Sequence, residues 1–225
     1  MRPTACITFD HGGDLHPFFA LLDRHRVRGT FFLEGRHGEE DPATVAEVVA
    51  RGHELGMHGW AHEPWAELAP DQERRLAERA TAALTDAAGT PPVGFRAPAG
   101  ARTDATASLL AELGYRFDAS LGDGMTPTVL ADGVAQVPFV WAGVDGAFYL
   151  RDEPADPAEV REQWTRELEK VAKDGGLFLT ICHAEITGTD LSRLRVLDDV
   201  VAAAAADKRV RVMTVGQVAE EVLSS

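Results

Sequence analysis

The sequence is short of cysteine, of basic residues and of long hydrophobic runs. Its two cysteines, Cys6 and Cys182, lie inside apolar stretches, so buried thiols are expected and a disulfide framework is not. Lys and Arg total 22 against 36 for Asp and Glu, which gives a net charge of −14. This acidic surplus repels phosphate backbones and anionic lipid headgroups, and it therefore argues against nucleic-acid and membrane partners.

The first residues do not resemble a signal peptide, because one charge is followed by a short apolar run that an Asp interrupts. No stretch approaches the roughly 20 apolar residues that a membrane span needs. We therefore expect a cytoplasmic protein that acts on a small-molecule substrate.

Hydrophobic periodicity predicts an α/β fold in a single catalytic domain, residues 1–225. Short apolar runs alternate with longer amphipathic segments, which predicts a mainly parallel sheet, and the pattern alone does not choose between a barrel and an open doubly wound sheet. Strands are predicted at residues 5–9, 29–33, 53–57, 93–95, 115–118, 136–141, 176–182 and 210–213. Helices are predicted at 17–25, 42–51, 70–88, 104–113, 157–173, 191–205 and 215–223, and residues 122–133 are predicted as a loop.

Polar side chains follow most of the predicted strands at the point where each strand ends. Because the carboxyl ends of parallel strands meet at one edge of a sheet, reactive groups gather there. The residues just past the strands therefore predict a shared pocket, and they are Asp10, His11, Asp14, His58, His62, Arg96, Pro98, Asp118 and His183.

The spacing of His58 and His62 indicates a metal site. On a helical turn, residues four apart share a face, so two imidazoles can bind one ion. The alternative is a pair of surface histidines. A divalent site needs a third ligand, for which Asp10, His11 and Asp14 are candidates, although the same three residues are also typical of a solvated polar turn.

His183 at the end of a buried strand predicts a general acid, the alternative being a core histidine that is bonded to backbone. Arg96 lies in a tight loop and can pair with Asp10, which would lower the pKa of that carboxyl and keep it ionised as a base. The alternative is a surface ion pair of little energetic value. Trp60 and Trp141 can line a sugar or acyl pocket, or simply pack against their neighbours.

Four segments in order resemble the motifs of the polysaccharide deacetylase superfamily (NodB-homology, carbohydrate esterase family 4). They are TFDHG at 8–12, HGWAH at 58–62, RAPAG at 96–100 and LTICH at 179–183, against T-F-D-D-G, H-x-x-x-H, R-x-P-x-G and L-x-H in the family. The resemblance spans about residues 4–219. It implies a distorted (β/α)₇ barrel and hydrolysis of an amide-type C–N bond, usually with Zn²⁺ or a similar divalent metal ion.

Three further segments resemble the cytoplasmic amidase- and imidase-like branch: GYRFDAS at 114–120, VPFVW at 137–141, and HAEITG at 183–188 followed by SRL at 192–194. Relatives on this branch often assemble as homo-oligomers, so a homo-oligomer is expected by analogy.

Carried over by resemblance, Asp10 is the general base, His183 the general acid and Arg96 the residue that tunes Asp10. His58 and His62 are metal ligands. His11 stands where the family has its second, metal-binding Asp, so either His11 or Asp14 supplies the third ligand. The remaining alternative is a site that binds metal weakly or not at all, since the wider family includes members that work without one. The predicted substrate-binding residues are Trp60, Pro98, Asp118 and Trp141, and Asp118 is also expected to orient either His183 or Arg96.

The favoured function is metal-assisted hydrolysis of a small cytosolic N-acyl or cyclic amide compound, with the oxyanion held by the ion and by a backbone N–H of the Gly59–Trp60 turn. One alternative is deacetylation of N-acetylated sugars or oligosaccharides. The other, which His11 in place of Asp motivates, is a catalytically retired module that binds a ligand.

Overall fold

A computed structural model describes residues 1–122 and 126–225. The strands are β1 Thr4–Asp10, β2 Thr30–Leu33, β3 Glu54–Met57, β4 Gly94–Phe95, β5 Phe117–Asp118, β6 Thr128–Val129, β7 Ala135–Gln136, β8 Leu177–His183 and β9 Arg211–Val212. The α-helices are α1 His16–His25, α2 Arg36–Glu40, α3 Pro42–Ala50, α4 Pro70–Ala88, α5 Thr106–Glu112, α6 Gly146–Tyr149, α7 Pro157–Asp174, α8 Leu191–Ala206 and α9 Val215–Leu223. Short 3₁₀ turns lie at Trp65–Glu67, Pro98–Gly100 and Trp141–Gly143, and a π-helical turn lies at Ala184–Gly188.

The helices that carry strong end signals were predicted most closely. α4 begins at Pro70, whose fixed φ suits the first helical position, and it ends at Ala88, just before Gly89, which takes the left-handed conformation with φ 72°. The predicted strand 136–141 is wrong over most of its length, because β7 stops at Gln136 and Trp141 begins a 3₁₀ turn. The predicted loop 122–133 contains β6, and its residues 123–125 lie outside the described part of the chain.

The chain forms two compact units. Unit 1 comprises 1–29 and 140–214. In it β1 pairs in parallel with β8 and with β9. Every residue of β1 is buried, as expected for a parallel strand that is covered on both faces. The rings of Phe9 and Phe18 pack with centroids 4.4 Å apart and so join β1 to α1.

Unit 2 comprises 30–139 and 215–225. Its strands pair in parallel from β2 to β3, β4, β5 and β7, and β6 pairs antiparallel with β7. The register sets Met57 beside Phe95 and Phe95 beside Asp118. Residues just past these strands therefore lie side by side. Among the described residues, no helix has both the length and the apolar character that crossing a membrane requires.

Candidate functional site

The predicted base and the predicted acid face each other in unit 1. In the parallel pairing of β1 with β8, Asp10 is the partner of His183, and both stand at the carboxyl ends of their strands. Neighbouring strands lie about 4.8 Å apart, so the two side chains start from adjacent backbone positions. Asp10 is 5% exposed, and the His183 side chain is 13% exposed. Two proton-handling groups are thus held together in a mostly dry environment.

Asp145 orients His183. Its carboxylate lies 2.5 Å from His183 Nδ1, and it accepts hydrogen bonds from the His183 backbone N–H at 2.8 Å and from the Thr187 hydroxyl at 2.7 Å. A fourth bond comes from the Gly146 N–H at 2.6 Å, and Asp145 has no exposed surface. Since the carboxylate accepts, Nδ1 carries a proton and Nε2 is the nitrogen that can exchange one with a substrate.

Sequence reasoning missed Asp145. It follows Val144, which forms a parallel bridge with Ile181 of β8, and the Asp145 N–H donates to the Ile181 carbonyl at 3.0 Å. Asp145 is therefore itself a residue at the end of a strand-like segment. The rule that found the other candidates would have selected it had the strand not been placed at 136–141.

The surroundings of His183 favour its protonated form. Burial lowers the pKa of this imidazole, but the hydrogen bond and the charge of Asp145, with the carboxylates of Asp10 and Glu185, outweigh burial and raise the pKa above its ordinary value of 6.5. A histidine that must donate a proton benefits from this shift.

The two candidates for the third metal ligand differ in their surroundings. His11 follows Asp10 in the left-handed conformation, with φ 66°, and its ring centroid lies 5.1 Å from that of His183. Asp14 is 74% exposed, and its carboxylate lies 3.0 Å from the ring of His16 and accepts the His16 N–H. Asp14 is thus bound at the start of α1, whereas His11 lies beside the predicted acid.

In unit 2, His58 and His62 approach each other on a turn and not on a helix. Gly59 and His62 both have positive φ, 73° and 61°, so the helical turn suggested by their spacing is wrong. The rings nevertheless lie 5.3 Å apart between centroids, and a ring nitrogen of each lies within 4.8 Å of the other. The pair can therefore contribute two ligand atoms to one ion.

The tautomer of His58 suits metal binding. Its Nδ1 lies 2.8 Å from the carbonyl oxygen of Arg96, and the side chain is buried. Because a carbonyl can only accept, Nδ1 carries the proton and Nε2 presents a lone pair. Metal-binding histidines commonly donate their other N–H to a carbonyl in this way. The donor set therefore fits a divalent cation such as Zn²⁺.

The amides of the same turn are already hydrogen-bonded. The Trp60 and Ala61 N–H groups donate to the Glu63 carboxylate at 3.0 and 2.9 Å, and the Gly59 N–H points to the sulfur of Met57 at 3.1 Å. The expectation that a Gly59–Trp60 amide holds the oxyanion is therefore wrong, since Glu63 and Met57 occupy both donors.

Arg96 and Asp118 are buried next to each other. Arg96 is 1% exposed, its Nε donates to the Ala119 carbonyl at 3.0 Å, and its guanidinium lies 4.1 Å from the centre of the Phe32 ring. Asp118 is fully buried, accepts the Ser120 N–H and pairs with Arg102 at 3.2 Å. Burial raises the pKa of Asp118, while Arg102, Ser120 and Arg96 act in the opposite direction. Of the two roles expected for Asp118, its contacts thus favour orienting Arg96. The carboxylate that orients His183 is Asp145.

The predicted substrate-binding residues differ in exposure. Asp118 has no exposed surface with which to touch a substrate, and Pro98 is buried in its 3₁₀ turn. Trp60 is half-buried and stacks under the Arg79 guanidinium at 3.5 Å, so one face of its ring is covered. Trp141 is 51% exposed and keeps a large aromatic surface available.

Comparison with known proteins agrees with these features. Residues 1–117 match the family model described as Polysaccharide deacetylase. Over 103 residues the chain is 33% identical to the Peptidoglycan deacetylase-like protein FGM2 of Gibberella zeae, a match that covers 45% of this chain and 30% of that protein. The chain thus spans less than half the length of this curated relative.

Two solved structures resemble the whole chain. A protein from Mycobacterium smegmatis described as a polysaccharide deacetylase is 28% identical with a TM-score of 0.90, over 99% of this chain and 91% of that one. Puue allantoinase has a TM-score of 0.86 at 15% identity, over 100% of this chain and 91% of that one, and at this identity it shows the fold alone. The predicted α/β fold of the NodB-homology type is confirmed, and the predicted enzyme class, a hydrolase of C–N bonds, agrees with the deacetylases for which the family is named. Since the family model covers more than half of the 225 residues, the chain belongs to the polysaccharide deacetylase family.

Proposed function

We propose that this protein is a metal-dependent deacetylase that hydrolyses the N-acetyl amide of a sugar or oligosaccharide. The observation that carries the proposal is the placement of Asp10 opposite His183, with Asp145 holding the imidazole. Membership of the family and the name of its Gibberella zeae relative favour a sugar over the small cytosolic amide that the sequence put first.

The cation is assigned to His58, His62 and His11. Three imidazoles are a donor set that zinc accepts, and they leave a position for water or substrate. His11 is preferred to Asp14 because Asp14 is exposed and bonded to His16. A cation held there would supply a polarised substrate carbonyl and a bound water of lowered pKa.

The protein's own groups move the protons. Asp10, which Arg96 is proposed to keep ionised, takes a proton from the attacking water as the C–O bond forms. His183 gives its Nε2 proton to the departing nitrogen as the C–N bond breaks, so that the products are acetate and a free amine. The raised pKa of His183 keeps that proton available to a higher pH than an ordinary imidazole would.

Acetate release from N-acetylglucosamine oligomers, with Zn²⁺ added, tests the proposal. Asp10→Asn is expected to lower the rate by roughly 10²–10⁴-fold, as loss of a general base does. Glu169→Gln is the control, since this exposed carboxylate forms an ion pair with Arg209 at the surface. Full turnover by Asp10→Asn would refute the assignment of the base.

Small N-acyl and cyclic amides are assayed in parallel. Turnover of these compounds without release of acetate from the oligomers would favour hydrolysis of a small amide over deacetylation of a sugar. If wild-type protein binds no Zn²⁺ and hydrolyses neither class, the ligand-binding module that His11 in place of Asp suggests becomes the better account.

A further inference from the structure

A fully buried carboxylate contacts two segments of unit 2 that lie next to the site residues His58, His62 and Arg96. Glu73, in the first turn of α4, has no exposed surface. It accepts three hydrogen bonds from side chains: Trp65 Nε1–H at 2.9 Å, the Thr103 hydroxyl at 2.7 Å and the Thr106 hydroxyl at 2.5 Å. Neutral donors from two separate stretches of chain thus converge on one acidic group.

The first stretch contains both candidate ligands of unit 2. Trp65 follows the turn of His58 and His62, is 1% exposed and packs on Phe95 with centroids 5.0 Å apart. A Cβ at Gly59 would lie 3.4 Å from the Trp65 ring, so this ring supports the turn directly. The bond from Trp65 to Glu73 therefore fixes the end of the segment 58–65 to α4.

The second stretch follows the Arg96 turn. Thr103 lies between the 3₁₀ turn Pro98–Gly100 and helix α5, and Thr106 is the first residue of α5. The Thr103 hydroxyl also accepts the Ala105 N–H. Where the two stretches meet, the Arg96 carbonyl orients His58. The position of the Arg96 carbonyl depends on the loop that follows it, and Glu73 holds the far end of that loop through Thr103 and Thr106.

We propose that Glu73 is a positioning residue for the candidate cation site, because it ties the His58–His62 turn and the Arg96 loop to helix α4 at one buried point. The presence of a cation in this inference rests on the proposed function, whereas the contacts of Glu73 do not depend on it. A buried carboxylate is costly to desolvate, and well-packed apolar side chains usually stabilise a fold at least as well. Three directed hydrogen bonds instead specify where each segment lies.

The test is Trp65→Phe, which keeps an aromatic ring against Phe95 and removes only the N–H and part of the ring. Trp164→Phe is the matched control. Trp164 is also 1% exposed and lies in unit 1, and its Nε1–H donates a part-buried hydrogen bond to the Ala142 carbonyl at 3.0 Å. Both variants lose one hydrogen bond and similar volume.

Two quantities are measured. In metal-free protein, amide hydrogen exchange at His58, Trp60 and Ala61 is expected to be about tenfold faster in Trp65→Phe and unchanged in Trp164→Phe. Calorimetric titration is expected to show Zn²⁺ affinity about tenfold weaker in Trp65→Phe alone, the low end of the effect of losing an outer partner of a ligand.

Exchange rates and Zn²⁺ affinities that are equal in the two variants would overturn the proposal. If Trp65→Phe does not fold, as judged by circular dichroism, Thr103→Val takes its place, because it removes another donor to Glu73 and leaves the segment 58–65 intact. Its expected effect on exchange has the same direction, and no change refutes the inference. Failure of wild-type protein to bind Zn²⁺ refutes the proposed function instead, and the exchange measurement then decides the role of Glu73 by itself.

Discussion

Asp145→Asn is the sharpest perturbation of the proposed acid. The carboxylate has no exposed surface and accepts four hydrogen bonds, two on each oxygen. Asn offers one oxygen and one NH₂ group of the same size. Whichever way the amide is oriented, two donors face the NH₂ group, and one of them is a backbone N–H.

The magnitude follows from these contacts. The Thr187 hydroxyl or the His183 Nδ1 can turn from donor to acceptor, but the backbone N–H cannot, so one buried donor is left without an acceptor, which predicts a loss of about 1–3 kcal/mol in the free energy of unfolding. Urea unfolding measures this loss. The control is Asp156→Asn, because the Asp156 carboxylate also accepts a backbone N–H, from Ala158 at 2.7 Å, but is exposed at the start of α7. Its expected cost is about 1 kcal/mol or less.

The pH dependence has a definite sign. In wild-type protein the pKa of His183 is raised above 6.5, so the acid form is present at low pH and activity is lost as pH rises through that raised pKa. The stabilisation that the bound proton gives the fold is likewise complete below the unfolded pKa, about 6.5, and is lost over the same window. Asp145→Asn removes the hydrogen bond to a charged partner and the charge that contribute most to raising the pKa, so burial, which lowers it, is opposed only by the more weakly acting Asp10 and Glu185.

The basic limb of the kcat profile is therefore expected to move to lower pH in Asp145→Asn, with a rate below the wild-type rate by roughly 10²–10⁴-fold at neutral pH. A basic limb that stays in place while stability falls would refute the reasoning, since Asp145 would then be a structural residue and His183 would not be the titrating acid.

Two further comparisons address the metal ligands and the turn between them. His11→Ala is expected to weaken Zn²⁺ binding by about tenfold or more, and Asp14→Ala by less than about threefold, in calorimetric titration; the reverse result would make Asp14 the third ligand. Gly59→Ala is expected to lower the free energy of unfolding by about 2 kcal/mol, because the position has φ +73° and a Cβ there would lie 2.9 Å from Glu63. Gly114→Ala is the control, because this position has φ +84° and no atom lies within 4 Å of the added Cβ, so only backbone strain of about 1 kcal/mol is expected. Equal losses of the two variants in urea unfolding would refute the effect of the close contact at Gly59.

Local signals explain which parts of the fold were predictable. α4 and α9 begin and end where the sequence places them, and α4 has both a Pro at its start and a Gly past its end. The two-residue strands β4, β5 and β7 carry too little periodicity to be bounded from sequence, since pairing with their neighbours defines them. The error at 136–141 has this origin, because after β7 the apolar run there keeps only a single bridge, between Phe139 and Leu121, before it enters a 3₁₀ turn.

The residues of the candidate site could be predicted only where the strand that precedes each of them could be predicted. Asp10 and His183 end long, well-marked strands, and the register sets them opposite each other. Asp145 was missed because its strand-like segment is a single bridge. The same strand-end rule also selects Glu34, just past β2, which is 1% exposed and bonded to His37 at 2.6 Å. The rule therefore finds buried structural carboxylates as readily as reactive ones, and chemistry has to separate them.

The two histidines of unit 2 show why spacing cannot fix a ligand geometry. Four-residue spacing predicted neighbouring rings, and the rings are neighbours, but the backbone that brings them together is left-handed at Gly59 and at His62. A residue other than glycine in the left-handed conformation costs roughly 1–2 kcal/mol, and the intrinsic preferences of these residues do not offset this cost. The conformation persists because Glu63 binds the amides inside the turn and Glu73 holds Trp65 beyond it. Cation affinity in this protein is therefore expected to depend on carboxylates that never touch the ion.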